Sequence, residues 1–210
     1  MLIPLETLAI FIPTALALNM TPGNDMLFCL GQGMKSGPRA GNAASLGIAT
    51  GALIHTALAG LGLAALVAAH PVALDLLRWA GIAYLVWLAI GAFRPGDPQL
   101  KPAQTRHSGA FTAWRDGIVV NLLNPKIIVF VLAFIPQFVD ASRGSVLVQF
   151  LIFGLILNIG GTIINCLVGS FAGKIGQFLS RSARIARMFQ IATGCIFLSL
   201  AAKLATDQRG

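Results

Sequence analysis

The sequence predicts an all-α membrane protein in which six transmembrane helices form two inverted three-helix repeats, helices one and four being broken at Pro22 and Pro125. Three observations lead there. Hydrophobic residues make up 56% of the 210 and charged residues 10%, against about 45–50% apolar and about 25% charged in soluble domains. The apolar residues gather into six runs. Two proline-broken polar stretches, Asn19-Met20-Thr21-Pro22-Gly23-Asn24-Asp25 and Asn121-Leu122-Leu123-Asn124-Pro125-Lys126, recur at about half the chain length, each inside one of those runs.

In order, the runs are 7–34 (interrupted by Asp25), 43–69, 79–93, 117–139 (interrupted by Lys126), 145–173 and 188–202. A bilayer core of about 30 Å takes about 20 helical residues, and four runs meet this outright. The third and sixth are completed by neighbours such as Leu74, Leu77 and Leu204, with Arg78, Arg94, Arg187 and Lys203 snorkelling to the interface. The first run lacks a basic leader and exceeds the apolar core of a signal peptide, so it is expected to be a mature span. Residues 95–115, with Pro95, Gly96, Pro98, Pro102 and Ser108, read as a cytoplasmic linker between a first repeat, 1–94, and a second, 116–210. Three spans per repeat is an odd number, so the second repeat enters the membrane in the opposite sense. Such repeats place the binding site near the midplane, at their interface. Gly47 and Gly51, and Gly169 and Gly173, have the small-xxx-small spacing that lets helices approach closely, which leaves a homo-oligomer open.

The net charge of +8 is a topology signal rather than a nucleic-acid footprint. On six spans, Lys35, Arg39, Arg94, Lys101, Arg106, Arg115, Lys174, Arg181, Arg184 and Arg187 face one side, and only Arg78, Arg143, Lys203 and Arg209 the other. The positive-inside rule then places both termini outside; if the sixth run does not span, the C-terminus moves inside. Cys29, Cys166 and Cys195 show neither CxxC nor metal-ligand spacing, so no metal, cofactor or disulfide framework is expected. Walker, GxSxG and HExxH signatures are absent, and the chain is not expected to be an enzyme. His70 and His107 fall in connections.

Polar residues within the apolar runs are the candidate site. A broken membrane helix is tolerated where its freed backbone lines a cavity. Thr21-Pro22 and Asn124-Pro125 each place a capping residue before proline, the N-cap and N1 pattern of a new helix, whose free N–H groups suit a carboxylate. Asn19, Gly23, Asn24 and Asn121 flank these starts. Asp25 complements a helix dipole, binds a substrate ammonium or exchanges a proton; an aspartate at membrane depth costs about 2.5–3.5 kcal/mol on insertion scales. Lys126 stands at the positive end of a dipole, where a cation is disfavoured; it pairs with Asp25, holds a carboxylate or snorkels. His55 is either a satisfied interior histidine or a proton relay alongside Asp25. Asn158, Thr162 and Asn165 share one helix face through i, i+4, i+7 spacing, as cavity wall or interhelical glue.

These breaks, with Ser36-Gly37-Pro38-Arg39-Ala40-Gly41, Gly81-Ile82-Ala83-Tyr84-Leu85-Val86-Trp87-Leu88 and Phe134-Ile135-Pro136-Gln137-Phe138-Val139, resemble the LysE/RhtB family of bacterial amino-acid exporters, in family order and over nearly the whole chain. The resemblance implies a permease of the bacterial cytoplasmic membrane that expels amino acids or close derivatives, driven by the proton motive force, with membrane lipid around it. One departure stands out. The family's first motif commonly reads Thr-Pro-Gly-Pro-Asn, whereas Asn24 and Asp25 occupy its last two positions here, and an extra carboxylate shifts preference towards a cationic solute. Moving one charge through 100 mV is worth about 2.3 kcal/mol, so substrate charge and proton coupling together set the attainable gradient. Two other classes compete: a passive channel, and a membrane thiol redox carrier, against which the unpaired cysteines argue.

Overall fold

The computed structural model describes residues 2–69, 73–94, 107–175 and 183–206. Among them every regular element is helical: α1 (Leu5–Met20), α2 (Asn24–Ser36), α3 (Pro38–Ala69), α4 (Ala73–Phe93), α5 (Ala110–Leu122), α6 (Pro125–Phe134), α7 (Val146–Ser170) and α8 (Ala183–Thr206), with 3-10 turns at Ile135–Phe138 and Ala141–Arg143. The chain is an all-α membrane protein. Among the described residues, α3 and α7 are long and apolar enough to cross a bilayer. Two further crossings arise if each bent pair is one span: α1 with α2, bent by 52°, and α5 with α6 and its 3-10 extension, bent by 57°. The apolar part of α4, Trp79–Phe93, is shorter. In α8, 24 residues at about 1.5 Å rise extend about 36 Å. His70, linker residues 95–106, Arg181 and Arg209 lie outside the described residues, as do the side chains of Leu74, Leu77, Arg78, Arg184, Lys203 and Leu204. The second bent pair begins at Ala110, inside the range assigned to the linker. Ser108 fastens that end to α2, its hydroxyl donating to Gln32 Oε1 at 2.8 Å and its N–H to Ser36 Oγ at 3.1 Å.

Close backbone contact, which glycine permits, sets the helix arrangement. α3 packs along both α5 and α7. Gly41 and Gly169 oppose each other where α3 meets α7, and a Cβ on Gly169 would lie 2.7 Å from the Gly41 carbonyl carbon. Gly173 meets nothing within 4 Å, so only the first member of that expected pair is used. Gly47 and Gly117 bring α3 against α5. Gly37 connects α2 to α3 with φ +84°, a left-handed geometry that a Cβ disfavours. α4 lies along α8. There Arg187 caps the end of α4: its guanidinium donates to the carbonyls of Ala92 (3.0 Å), Arg94 (2.8 Å) and Phe93. Last-turn carbonyls have no intrahelical donor, and a cation there also meets the negative end of the dipole.

Beneath the breaks sits an aromatic cluster. Phe11 of α1 lies 4.7 Å from Phe153 of α7 and 5.0 Å edge-on from Phe138, ring centre to ring centre, and Phe130 and Phe134 of α6 pack with their rings tilted at 4.3 Å. Each such pair is worth about 0.5–1.5 kcal/mol beyond the area it buries. The cluster ties α1, α6 and α7 together and so holds the two bends near one another.

Candidate functional site

The first break begins where α1 ends. Thr21 is the C-cap of α1 rather than the N-cap expected for α2: its N–H donates to the Leu18 carbonyl at 3.0 Å and its hydroxyl to the Ala17 carbonyl at 2.9 Å. Pro22 cannot continue the helix, having no N–H to give. Gly23 follows as the N-cap of α2, in extended conformation and without a side-chain cap. The first backbone hydrogen bond of α2 runs from Leu27 N–H to the Gly23 carbonyl, at 2.9 Å. The preceding amides thus stay open. Asn24 is exposed, whereas Asp25, at position N2, is 9% exposed.

At the second break the expected pattern holds. Asn124 is the N-cap of α6 and Pro125 its N1, and Asn124 Oδ1 accepts the Lys126 N–H at 3.1 Å. The other end of the same amide crosses to the first break, Nδ2 donating to Asp25 Oδ1 at 2.9 Å. Asn121, one turn earlier, donates to Asp25 Oδ2 at 2.8 Å. Both asparagines are at least 97% buried. Asp25 therefore has one amide on each carboxylate oxygen, bonds of the charge-assisted kind, about twice as strong as neutral ones.

Lys126 completes the exchange. Among the described residues it forms no ion pair with Asp25 within 4.0 Å. Its ammonium donates to the Thr21 carbonyl at 3.3 Å. This resolves the dipole conflict: Lys126 starts at the positive end of α6, but its charge is delivered to the negative end of α1. Gly23 makes room, since a Cβ there would be 3.3 Å from Lys126 Nζ. Each break thus supplies what the other lacks.

Around these groups a cavity of about 50 Å³ is lined by Thr21, Gly23, Asp25, Asn124, Lys126 and Asn165, with Asn19 and Gly161 also on its wall. Asn19 donates to the Leu157 carbonyl at 3.0 Å, which joins α1 to α7. The polar face of α7 divides in two. Asn158 donates to the Ala49 carbonyl at 3.1 Å, an interhelical bond, whereas the Thr162 hydroxyl donates back to the Asn158 carbonyl at 2.7 Å within α7; neither borders the cavity. Only Asn165 of the three faces the cavity. Glue extends along the α3–α7 seam through Ser45, which donates to the Thr162 carbonyl, and Cys166, which donates to Ser45.

His55 stands behind Asn121, its Nε2 3.3 Å from the Asn121 carbonyl oxygen. It borders a second, larger cavity of about 260 Å³ between α3 and α6, otherwise lined by Leu58, Ala59, Ile128, Val131 and Leu132. Lys126, His55 and, one turn along α2, Cys29 are charged or titratable groups close enough to Asp25 to interact with it electrostatically. Two supports of the site were read from sequence only as a helix-packing glycine and as part of a family segment. Gly51 presses against Asn121, and Tyr84 donates its hydroxyl to the Lys126 carbonyl at 3.4 Å. Tyr84 is the one tyrosine in the chain, and a lone hydroxyl inside an apolar run was the signal available. Among the described residues no cluster of histidine, cysteine and carboxylates is suited to a metal.

Proteins of similar sequence point to the same class. A family model described as LysE type translocator matches residues 16–208. The chain is 31% identical over 196 residues to an uncharacterized membrane protein of Vibrio cholerae, covering 93% of this chain and 95% of that one. To a homoserine/homoserine lactone efflux protein of Salmonella typhi it is 32% identical over 198 residues, covering 93% and 94%. To a leucine efflux protein of an Enterobacter species it is 30% identical over 194 residues, covering 89% of each. No solved structure matches. With a family model spanning nearly the whole chain and relatives of matching length, the protein belongs to the LysE type translocator family, as a membrane transporter rather than an enzyme.

Proposed function

We propose that the protein is a secondary active exporter of amino acids or close derivatives, homoserine-like or leucine-like in the first instance, across the bacterial cytoplasmic membrane. The observation that carries this is the reciprocal bonding of the two breaks, Asp25 to Asn121 and Asn124 in one direction and Lys126 to the Thr21 carbonyl in the other. The named activities of the relatives support the substrate class. On this reading six spans (α1–α2, α3, α4, α5–α6, α7 and α8) form two inverted repeats, 1–94 and 116–210, joined through a cytoplasmic linker at 95–115, with both termini outside. The breaks lie at the repeat interface, near the membrane midplane. Rocking one repeat against the other exchanges the few bonds between the breaks and opens the cavity to alternate sides. Asp25 is the group through which a proton couples, with Lys126 and His55 as its electrostatic neighbours. Asn19, Thr21, Pro22, Gly23, Asn24, Asn121, Asn124 and Pro125 shape the substrate site.

Reconstituted vesicles test this. With a proton gradient imposed, L-homoserine or L-leucine should accumulate against its own gradient, and an uncoupler should abolish the accumulation. In Asp25→Asn the dependence of transport on pH should be lost. Equilibration without accumulation would identify a passive channel instead. Unchanged rate and pH dependence in Asp25→Asn would exclude Asp25 as the coupling group.

A further inference from the structure

Two helix N-termini meet at the site, and they are not equivalent. That of α6 is closed, because Asn124 Oδ1 takes the Lys126 N–H and Pro125 has none to offer. That of α2 is open, because its N-cap is a glycine without a side chain to cap it. Gly23, Asp25 and Met26 at this open end all border the cavity of about 50 Å³. On the same wall stands Asn165 of α7, only 8% exposed. Buried side-chain amides are nearly always paired. Asn158 and Thr162 on the same helix obey this, but the Asn165 amide is bonded to no group among the described residues, and the space it borders is the cavity.

We propose that the open N-terminus of α2 and the amide of Asn165 form the carboxylate subsite of the amino-acid site, which fixes the orientation of a zwitterionic substrate; this rests on the exporter reading above. Backbone N–H groups and the positive end of a dipole favour a carboxylate. The Asn165 amide adds a directed donor. Asp25 opposes a lone anion in the cavity and Lys126 opposes a lone cation, so a ligand carrying both signs satisfies both. Its carboxylate lies towards α2, Asn165 and Lys126, and its ammonium towards Asp25. His55 and Cys29, the other titratable neighbours of Asp25, do not border this cavity. A water requires about 10–15 Å³ of such volume, so the cavity holds the charged head group of an amino acid and the side chain extends beyond it.

The experiment measures binding to the purified full-length protein in detergent, by ligand-induced thermal stabilisation, with L-leucine, L-homoserine and the amide of each. At least one acid should bind about tenfold or more tightly than its amide, the loss expected when bonds to a charged group are removed. Asn165→Leu should weaken the acid about tenfold and leave the amide unchanged. Asn165→Asp, nearly the same shape, should reverse the preference in favour of the amide. Equal binding of acid and amide, binding of neither, or variants that shift both equally would overturn the subsite. The same protein in vesicles separates this from the exporter reading: selective binding without uphill export sinks the latter alone, and uphill export with unselective binding sinks the former alone.

Discussion

Gly51→Ala reaches the centre of the site without touching a charged group. A Cβ at position 51 would stand 2.8 Å from Asn121 Oδ1, 2.9 Å from Asn121 Cβ and 3.1 Å from the Ile118 carbonyl oxygen. Ordinary contact between such atoms is about 3.5–4.0 Å, so Asn121 must retreat by about 0.7 Å. Its bond to Asp25 Oδ2 is 2.8 Å long, and stretched by that amount it passes the limit of a hydrogen bond. One bond to a charged group is worth about 1.5–3 kcal/mol, or about tenfold and upward in rate or affinity. Export measured in vesicles should therefore fall about tenfold or more, with the protein still inserted and at normal level. Gly62 lies on the same helix with nothing within 4 Å, so Gly62→Ala supplies the control for helix propensity and should export normally. Truncating the clashing partner to glycine removes both contacts under 3.0 Å, so Gly51→Ala combined with Asn121→Gly should be little worse than Asn121→Gly alone. Such non-additivity is the signature of residues in contact. Wild-type export by Gly51→Ala, or additive losses in the double variant, would refute the reasoning.

Two further expectations separate substrate contacts from structural ones. Lys126→Gln removes the ammonium from the Thr21 carbonyl and from the cavity, and should raise the half-saturating substrate concentration about tenfold while protein level in the membrane holds; an unaffected half-saturation would count against Lys126 as a substrate contact. Asn158→Leu loses a single glue bond between α7 and α3, of a kind that averages about 0.6 kcal/mol within membranes. Its melting temperature in detergent should drop slightly and its half-saturation stay put, and a large change in half-saturation would return Asn158 to the cavity wall.

The breaks were legible from sequence because proline beside asparagine inside a membrane helix interrupts its hydrogen bonding, which the bilayer tolerates only where a cavity or protein surrounds the gap. Asn124-Pro125 forms the N-cap and N1 that the pattern implies. Thr21-Pro22 carries the same local pattern and does something else. There Thr21 closes α1 and Gly23 takes the N-cap of α2, a choice that local propensity does not encode. Lys126 was legible as misplaced with respect to the dipole of its own helix, but nothing in the sequence told which other helix end would receive it. Periodicity put Asn158, Thr162 and Asn165 on one face, yet a face about 10 Å long passes from the α3 seam to the cavity, and only packing distinguishes them. Arg187 was legible as an interfacial cation, whereas its cap on α4 joins residues more than ninety positions apart. What the sequence leaves open is consistently the long-range pairing.

The substitution of Asp25 for the asparagine common in this family can be weighed from the amide geometry. Two amide NH₂ groups converge on position 25, and a carboxylate accepts both. An asparagine there offers one acceptor and one donor, so one of the converging amides must turn. Asn124 is not free to do so, because its oxygen caps the Lys126 N–H. Asn121 is: its Oδ1 is buried without a partner among the described residues, and rotating that amide by half a turn would point the oxygen at a new donor on residue 25. Asp25→Asn therefore keeps the same number of bonds to position 25, and the fold does not require the charge. What the variant loses is the negative partner of Lys126 in the cavity and a group that can carry a proton. Its transport phenotype accordingly reports on charge and proton exchange rather than on a damaged scaffold. On the proposed site the extra carboxylate need not select a cationic solute, because Lys126 borders the same cavity and a net-neutral ligand carries a partner for each charge.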